Sequence, residues 1–281
     1  MSLRLVFKSV WQNPGNQGRR LCKSLTAIGW QIRKRVLRKP TVIRLANGAR
    51  FKAHPDCVVS SALIYSDWPE FRELQFIRRT LKQGDAVIDV GANVGHISLL
   101  LSDLVGPENI FAFEPTPVSF RRLTENWELN SWPVTNLLQN AVGRQAGSIG
   151  IPDTTHPDTK NSISSVGGGS TVEVPLIALD ARRAQWNGRR VGLLKIDVEG
   201  YEREVFAGAQ ELLRHDRPRL VMFESLAGTV DTEIAAILRG ARYDAFQLSD
   251  TGKPDFSTCT AQNVFAVPVE ERSLLPKCDG S

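Results

Sequence analysis

From residue 86 onward, the sequence alternates short apolar runs with segments of helical periodicity. The runs include AVIDV, NIFAFEP, TVEVPLIAL, VGLLKIDV and RLVMFES, and helical segments such as NVGHISLLLSDLV and VSFRRLTENWELN lie among them. Strands joined through helices need crossover connections, which predict a parallel sheet covered by helices. The last two runs, YDAFQLS and NVFAVPV, are separated by a turn-rich stretch with no room for a helix, which predicts an antiparallel pair. The predicted fold is therefore α/β and Rossmann-like.

Charge divides the chain into a basic N-terminal segment and an acidic body. Residues 1–55 hold 13 of the 35 Lys and Arg residues and no acidic residue, whereas residues 56–281 hold 22 basic and 30 acidic residues. Helical periodicity predicts an amphipathic helix over 21–37, and Asn47-Gly48 predicts the turn of a β-hairpin. The predicted organisation is a basic N-terminal arm at 1–40, a β-hairpin appendage at 41–66, the main domain at 67–270 and a C-terminal tail at 271–281.

The basic arm has two interpretations. It is either a solvated segment or a surface that contacts an anionic membrane or an acidic glycan; no specific nucleic-acid contact is expected. No stretch reaches the roughly 18 apolar residues that a membrane span needs. The four cysteines and four histidines are scattered without the spacing of a zinc site. These features predict a cytoplasmic protein without a transition-metal centre.

A glycine-rich turn follows the first of the apolar runs. In VIDVGANVG the strand enters Gly91 and Gly95 ahead of a helix, so the backbone can approach a ligand closely. Asp89 lies just before the turn, where a carboxylate suits a cationic or hydroxyl-rich ligand. The next strand ends at Glu114, where an acid can accept both hydroxyls of a ribose. Because GANVG lacks the GxGxxG phosphate cradle, the pattern disfavours a dinucleotide.

Several motifs in fixed order resemble the FkbM family of methyltransferases across residues 41–269. They are VIDVGANVGHISLLL, FAFEPTPVSFRRLTENWELN, NAVG, VPLIALD and LLKIDVEGYEREVFAGAQELL. The resemblance implies a class I methyltransferase fold, with a seven-stranded sheet and an antiparallel last strand, and S-adenosylmethionine as the cofactor. The residues that it places around the methionine moiety are Asp89, Gly91, Asn93 and Gly95. It places Glu114 at the ribose, and Asn140 and Ala141 near the adenine.

Charged residues alternate at the end of a later buried strand. In VGLLKIDVEGYE they are Lys195, Asp197 and Glu199, and charge so close to a core strand requires pairing. One interpretation is an internal Lys–carboxylate pair with an acid at the helix start; the other makes these residues catalytic. The next strand ends at Glu224, so Asp197 and Glu224 are expected at adjacent strand ends. Such a carboxylate can remove a hydroxyl proton, or two can share a Mg²⁺ ion that lowers the pKa of the hydroxyl.

The predicted function is S-adenosylmethionine-dependent O-methylation of a hydroxyl on a saccharide or glycosylated metabolite. Two alternatives come from other classes: a catalytically silent S-adenosylmethionine-binding module tethered by its basic arm, and a nicotinamide-dependent oxidoreductase. His96 departs from the family, in which an aromatic such as Tyr is more usual, and is interpreted as a packing residue or an acceptor contact. A polar loop at 150–171 is interpreted as a lid over the acceptor or as a surface loop, and its candidate contacts are Asn161, Ser162, Ser164 and Ser165.

Overall fold

The computed structural model describes residues 3–153, 171–186, 188–225 and 228–276. The α-helices in these ranges are α1 (Leu3–Gln12), α2 (Arg20–Val36), α3 (Val58–Tyr65), α4 (Phe71–Thr80), α5 (His96–Val105), α6 (Pro117–Leu129), α7 (Glu202–Ala207) and α8 (Thr232–Gly240). The β-strands are β1 (Thr41–Arg44), β2 (Arg50–Ala53), β3 (Ala86–Val90), β4 (Ile110–Phe113), β5 (Leu137–Leu138), β6 (Ala141–Val142), β7 (Gly147–Pro152), β8 (Thr171–Ile177), β9 (Val191–Ile196), β10 (Leu220–Glu224), β11 (Tyr243–Leu248), β12 (Pro254–Asp255) and β13 (Asn263–Pro268).

The main sheet has eight strands among the described residues, in the order β12-β11-β13-β10-β9-β3-β4-β5. Neighbouring strands from β10 to β5 run parallel. Strand β13 is antiparallel to both β10 and β11, so the last strand has the predicted direction. The expected seven strands become eight because the two-residue strand β12 pairs with the edge of β11.

The central strands are apolar because core packs on both faces of the sheet. Every residue of β3, β4, β9 and β10 is buried, as is typical of parallel strands. Alternate residues enter two core clusters, with Val87 in one and Ile88 and Val90 in the other. The parallel strands end at one edge of the sheet, and the residues that follow them, which include Glu114 and Asp197, meet there.

The N-terminal region packs on the main core. Strands β1 and β2 pair antiparallel around the predicted turn, where Gly48 has a φ of +89°. The helix predicted over 21–37 is α2. Val6, Val10 and Trp30 are buried in the same cluster as residues of the main sheet, so the region is not a solvated arm. In the described part of the chain, no helix is both long enough and apolar enough to cross a membrane.

Local structure departs from the sequence prediction at two points near the N-terminus. The segment 41–66 contains the buried helix α3 after its hairpin. Periodicity predicts a helix from residue 67, but α4 begins at Phe71 because Glu70 adopts the left-handed conformation (φ 50°, ψ 50°), which interrupts a right-handed helix. This change of direction brings Glu70 to the site described below.

A separate three-stranded sheet has the order β6-β8-β7. Strands β7 and β8 pair antiparallel from Gly147↔Leu176 to Pro152↔Thr171. The loop that connects them, including the lid residues proposed at 161, 162, 164 and 165, lies outside the described residues.

Candidate active site

A cleft of about 260 Å³ opens at the carboxyl ends of the parallel strands. Its polar and glycine lining consists of Glu70, Gly91, Asn93, His96, Glu114, Thr116, Ser119, Asp197 and Glu199. Within the described part of the chain, four carboxylates line the cleft and no Lys or Arg does. A cleft lined by negative charge alone attracts a positively charged ligand. The cleft therefore suits a cationic ligand and opposes an anionic one such as a pyrophosphate.

Gly91 stands where the end of β3 meets the end of β9. Its φ is +76°, and a Cβ atom built at this position would lie 1.8 Å from the backbone oxygen of Asp197. Only glycine tolerates both the conformation and the contact. The N–H groups of Gly91 and Ala92 donate to the carbonyl oxygen of Phe113 at 2.9 and 3.0 Å. The turn is thus fixed against two neighbouring strand ends.

Glu114 connects the glycine turn to the end of β4. Its Oε2 accepts a hydrogen bond from the backbone N–H of Asn93 at 2.8 Å, and its Oε1 accepts one from the N–H of Thr116 at 2.9 Å. Burial raises the pKa of this carboxyl despite the two N–H donors. An ionised carboxylate has about four acceptor sites. Each oxygen therefore keeps capacity for a hydroxyl in the cleft, as a ribose diol requires.

A buried ion pair supports the turn from the core side. Lys195 on β9 is 3% exposed, and its Nζ lies 3.1 Å from Oδ1 of Asp89. The same ammonium donates to the carbonyl oxygen of Gly91 at 3.0 Å, and Ser98 donates to Oδ2 of Asp89 at 2.6 Å. Burial lowers the pKa of Lys195, but the charges of Asp89 and Asp197 outweigh it, so the net shift is upward. The buried charges of Lys195 and Asp89 therefore neutralise each other inside the protein.

Asp197 follows β9 and faces the cleft. Its side chain is 44% exposed, and its Oδ2 lies 3.5 Å from Nζ of Lys195. The loop after it is capped by the buried Glu202, whose Oε1 accepts hydrogen bonds from the N–H groups of Val198 and Gly200, each at 3.1 Å. The cap fixes the loop. The Asp197 carboxylate therefore stays accessible to a substrate on its cleft side and is paired with the Lys195 ammonium on its core side.

Glu224 ends β10, the parallel neighbour of β9. Single carboxylate oxygens of Asp197, Glu199 and Glu224 all lie within 4.8 Å of one another. Gln262 donates to Oε1 of Glu224 at 2.5 Å, while Oε2 has no hydrogen-bond partner among the described residues. Burial raises the pKa of Glu224. The structure thus brings together the two acids that the sequence places at adjacent strand ends, with Glu199 as a third.

Glu70 is a cleft residue that the sequence analysis missed. Solvent reaches it through the cleft, yet the protein atoms around it raise the pKa of its carboxyl to about 7, and the charge of Asp197 adds to this shift. Its side chain has no hydrogen bond or ion pair with any described residue. An acid beside Pro69 ahead of a helix resembles an ordinary N-terminal helix residue, so no local signal distinguishes it.

His96 lines the same cleft at the start of α5. Burial, reinforced by the charge of Lys195, lowers the pKa of His96 to about 4, so the imidazole is neutral near pH 7. Its Nδ1 is buried without a hydrogen-bond partner among the described residues. The position is compatible with a ligand contact through a neutral ring and adds no positive charge to the cleft.

The structure separates the other candidates into those that line the cleft and those that lie behind it. The residues in the lining are Gly91, Asn93, Glu114, Asp197 and Glu199. Asp89 and Lys195 lie behind the turn, and they support it through their ion pair. Gly95 packs against α6, where a Cβ atom would lie 2.4 Å from Cδ1 of Leu123. Asn140 and Ala141 lie outside the lining, and Ala141 is buried at the start of β6.

A mostly parallel sheet with an antiparallel last strand and an acidic cleft at its carboxyl edge defines a Rossmann-like domain for a cationic ligand. The sequence profile described as "Methyltransferase FkbM domain" matches residues 89–245. The chain belongs to the FkbM family of S-adenosylmethionine-dependent methyltransferases.

The chain is similar to several individual proteins over part of its length. The chain is 33% identical over 194 residues to the 31-O-demethyl-FK506 methyltransferase FkbM of Streptomyces tacrolimicus, covering 57% of this chain and 73% of that protein. It is 27% identical over 169 residues to the hexuronic acid methyltransferase AglP of Haloferax volcanii, covering 60% and 67%. A crystal structure of the methyltransferase FkbM from Methylobacillus flagellatus KT aligns with a TM-score of 0.44 at 12% identity, covering 88% and 60%.

Proposed function

We propose that this enzyme transfers the methyl group of S-adenosylmethionine to a hydroxyl of a saccharide or glycosylated metabolite. The observation that carries the proposal is the accessible carboxylate of Asp197, which shares one cleft with the glycine turn and Glu114. The names of two relatives, a 31-O-demethyl-FK506 methyltransferase and a hexuronic acid methyltransferase, support an oxygen acceptor and a sugar, respectively.

The cleft residues fit the cofactor by charge. S-adenosylmethionine supplies an electrophilic methyl group on a cationic sulfonium. Four carboxylates, with no Lys or Arg lining the cleft among the described residues, suit that cation, whereas the pyrophosphate of a nicotinamide dinucleotide would meet like charge. We assign Glu114 to the ribose and the Gly91–Asn93 turn to the methionine moiety, with Asp89 acting through Lys195. This charge pattern argues against the oxidoreductase alternative.

Asp197 is proposed as the proton acceptor. An alcohol is a weak nucleophile until its proton is removed, so a carboxylate within reach of the acceptor accelerates attack. The Glu202 cap holds the backbone after Asp197 in place, and Nζ of Lys195 lies 3.5 Å from the Asp197 carboxylate. We propose that the carboxylate held in this way orients the hydroxyl oxygen of the substrate. Alignment of acceptor and methyl donor by such fixed groups is itself a large part of catalysis.

A divalent cation is a second way to activate the hydroxyl. Asp197, Glu199 and Glu224 offer clustered carboxylate oxygens, the ligand type that Mg²⁺ prefers, and Oε2 of Glu224 lacks a hydrogen bond among the described residues. A bound Mg²⁺ would lower the pKa of the acceptor hydroxyl. The two mechanisms differ in their response to chelation.

The test is methyl transfer with label in the methyl group of S-adenosylmethionine and simple glycosides, including hexuronic acids, as acceptors. We expect label in an alkali-stable ether, because transfer to a hydroxyl forms an ether. Label in an alkali-labile ester would show that a carboxyl group is the acceptor and would refute the hydroxyl assignment. Binding of the cofactor without transfer to any acceptor, including extracted glycans, would favour the silent module.

Replacing Glu114 with Ala is expected to weaken S-adenosylmethionine binding by about 1.5–3 kcal/mol, the scale for losing charge-assisted hydrogen bonds. Calorimetric titration measures the change. The variant Glu114→Gln is the matched control: it keeps an acceptor oxygen but also donates, so its loss should be smaller. Equal affinity in the wild type and in a folded Glu114→Ala variant would remove this residue from the ribose site.

Glu70 is expected to give the pH-rate profile an acid limb near pH 7. The charged groups that act on its carboxyl are Asp197, Lys195, Glu73 and Glu224. Its pKa is about 7, so it is ionised above this pH, where its negative charge favours removal of the acceptor proton into the cleft. As the pH falls through 7, Glu70 becomes protonated, its negative charge is lost and turnover decreases.

The variant Glu70→Gln tests this prediction, because its side chain is neutral at every pH. We expect its turnover to reach a lower plateau at high pH and to show no acid limb near pH 7. The affinity for S-adenosylmethionine is measured in parallel, so that a change in cofactor binding is distinguished from a change in turnover. The control Glu73→Gln removes a nearby acid on the same helix that is not part of the cleft lining, and it should retain the limb. A limb near pH 7 that persists in Glu70→Gln would assign the titration to another group.

A further inference from the structure

The exposed face of α2 is apolar along most of its length. Leu21, Leu25, Ile32 and Val36 are 74%, 71%, 59% and 71% exposed, respectively. At 3.6 residues per turn, these four side chains fall within an arc of about 60° on one side of the helix. The opposite side is buried against the protein through Ala27, Trp30 and Gln31. A row of large apolar side chains that points away from the core needs a partner that excludes water.

The helix is held in this orientation by specific contacts. Lys23 pairs with Asp67 at 2.5 Å, and the indole N–H of Trp30 donates to Ser61 Oγ at 3.1 Å. On α1, Trp11 donates to Ser24 Oγ at 3.3 Å and remains 47% exposed. The apolar face is therefore presented by a packed scaffold.

The charged residues on this helix and just after it are all basic. The last turn of α2 carries Arg33, Lys34 and Arg35, and Arg38 and Lys39 follow directly. Residues 1–55 contain no Asp or Glu. Apolar side chains bordered by basic ones are the pattern of a helix that lies in the headgroup region of an anionic bilayer.

We propose that this face of α2 docks on the surface of an anionic lipid membrane, with Leu21, Leu25, Ile32 and Val36 inserted and the basic residues at the headgroups. A symmetric dimer through the same face would bring together two copies of a helix whose own charged residues are all basic. A nucleic acid would satisfy the charge but leave the apolar row unused. The membrane satisfies both features, and the proposal is independent of the methyl acceptor.

The docking test uses the full chain with vesicles of phosphatidylcholine alone or with about 30% phosphatidylserine. We expect sedimentation with the anionic vesicles only, and weaker binding as salt rises. The double substitution Leu25→Glu/Ile32→Glu should reduce binding at least about tenfold, because it removes two inserted apolar side chains. Neutralising Arg38 and Lys39 with Gln should reduce it about fivefold per charge at low salt.

The matched control is Val134→Glu/Leu274→Glu, which changes two other exposed apolar residues, 38% and 73% exposed, and should bind like the wild type. Calorimetric titration with S-adenosylmethionine verifies that each variant is folded. If Leu25→Glu/Ile32→Glu does not fold, Leu21→Ser/Val36→Ser replaces it.

Equal vesicle binding by the wild type and the variant, or equal binding to neutral and anionic vesicles, would overturn the proposal. So would a wild-type dimer in sedimentation equilibrium that Leu25→Glu/Ile32→Glu dissociates, without vesicle binding.

Discussion

Replacing Asp197 with Asn is expected to lower methyl-transfer turnover by about a hundredfold or more, the usual scale for general acid–base catalysis. Asn keeps the size of the side chain and one acceptor oxygen, so the loss would report the charge or the basicity of the carboxylate. S-adenosylmethionine affinity should change much less, because Glu114 and the glycine turn are intact. Turnover is measured with a true acceptor and affinity by calorimetry.

Chelation separates the two possible roles of Asp197. If it acts as a base alone, wild-type turnover should be unaffected by EDTA. If it shares Mg²⁺ with Glu199 and Glu224, EDTA should abolish turnover and added Mg²⁺ should restore it. The surface variant Asp250→Asn, at a side chain that is 98% exposed, serves as the control and should behave like the wild type. Normal turnover of Asp197→Asn would exclude both roles at this residue.

Replacing Gly91 with Ala is expected to lower both protein stability and S-adenosylmethionine affinity, the latter more than about tenfold. The new Cβ atom would lie 1.8 Å from the backbone oxygen of Asp197, so β3 and β9 must separate at the cleft. The left-handed conformation alone costs about 1–2 kcal/mol for a non-glycine residue.

A matched variant separates that conformational cost from the contact. Gly84 has a φ of +78° and nothing within 4 Å of a built Cβ atom. Gly84→Ala should therefore show only the conformational cost in the free energy of unfolding, with unchanged cofactor affinity. Denaturant unfolding and calorimetry measure the two quantities. If both variants behave alike, close packing of the turn against Asp197 does not matter for binding.

The alternation of strands and helices and the position of the glycine turn could be predicted because they depend on local patterns. Apolar runs such as AVIDV identify buried strands, and the φ of +76° at Gly91 is one that glycine adopts readily. The carboxyl-end rule then places Glu114 and Asp197 at one edge. These inferences need no knowledge of distant contacts.

The parts that could not be predicted depend on contacts between distant residues. Asp89 was expected at the cofactor, but its partner Lys195 lies 106 positions later in the chain and holds it behind the turn. Glu70 reaches the cleft only because of its left-handed backbone, which no preference of glutamate suggests. The extra edge strand β12 has two residues, too few to form an apolar pattern.

The contacts of Lys195 constrain how this enzyme can change during evolution. One ammonium binds the carbonyl oxygen of Gly91 and pairs with Asp89 and Asp197, so it serves the cofactor turn and the candidate base at once. A neutral residue at this position would leave Asp89 buried without its cation, a change that is strongly destabilising. A neutral substitution at Lys195 is therefore expected to lower the stability of the protein as well as its activity. The side chain of the proposed base Asp197 can change without leaving a buried charge unpaired, so an inactive descendant that still binds the cofactor is expected to arise more readily there.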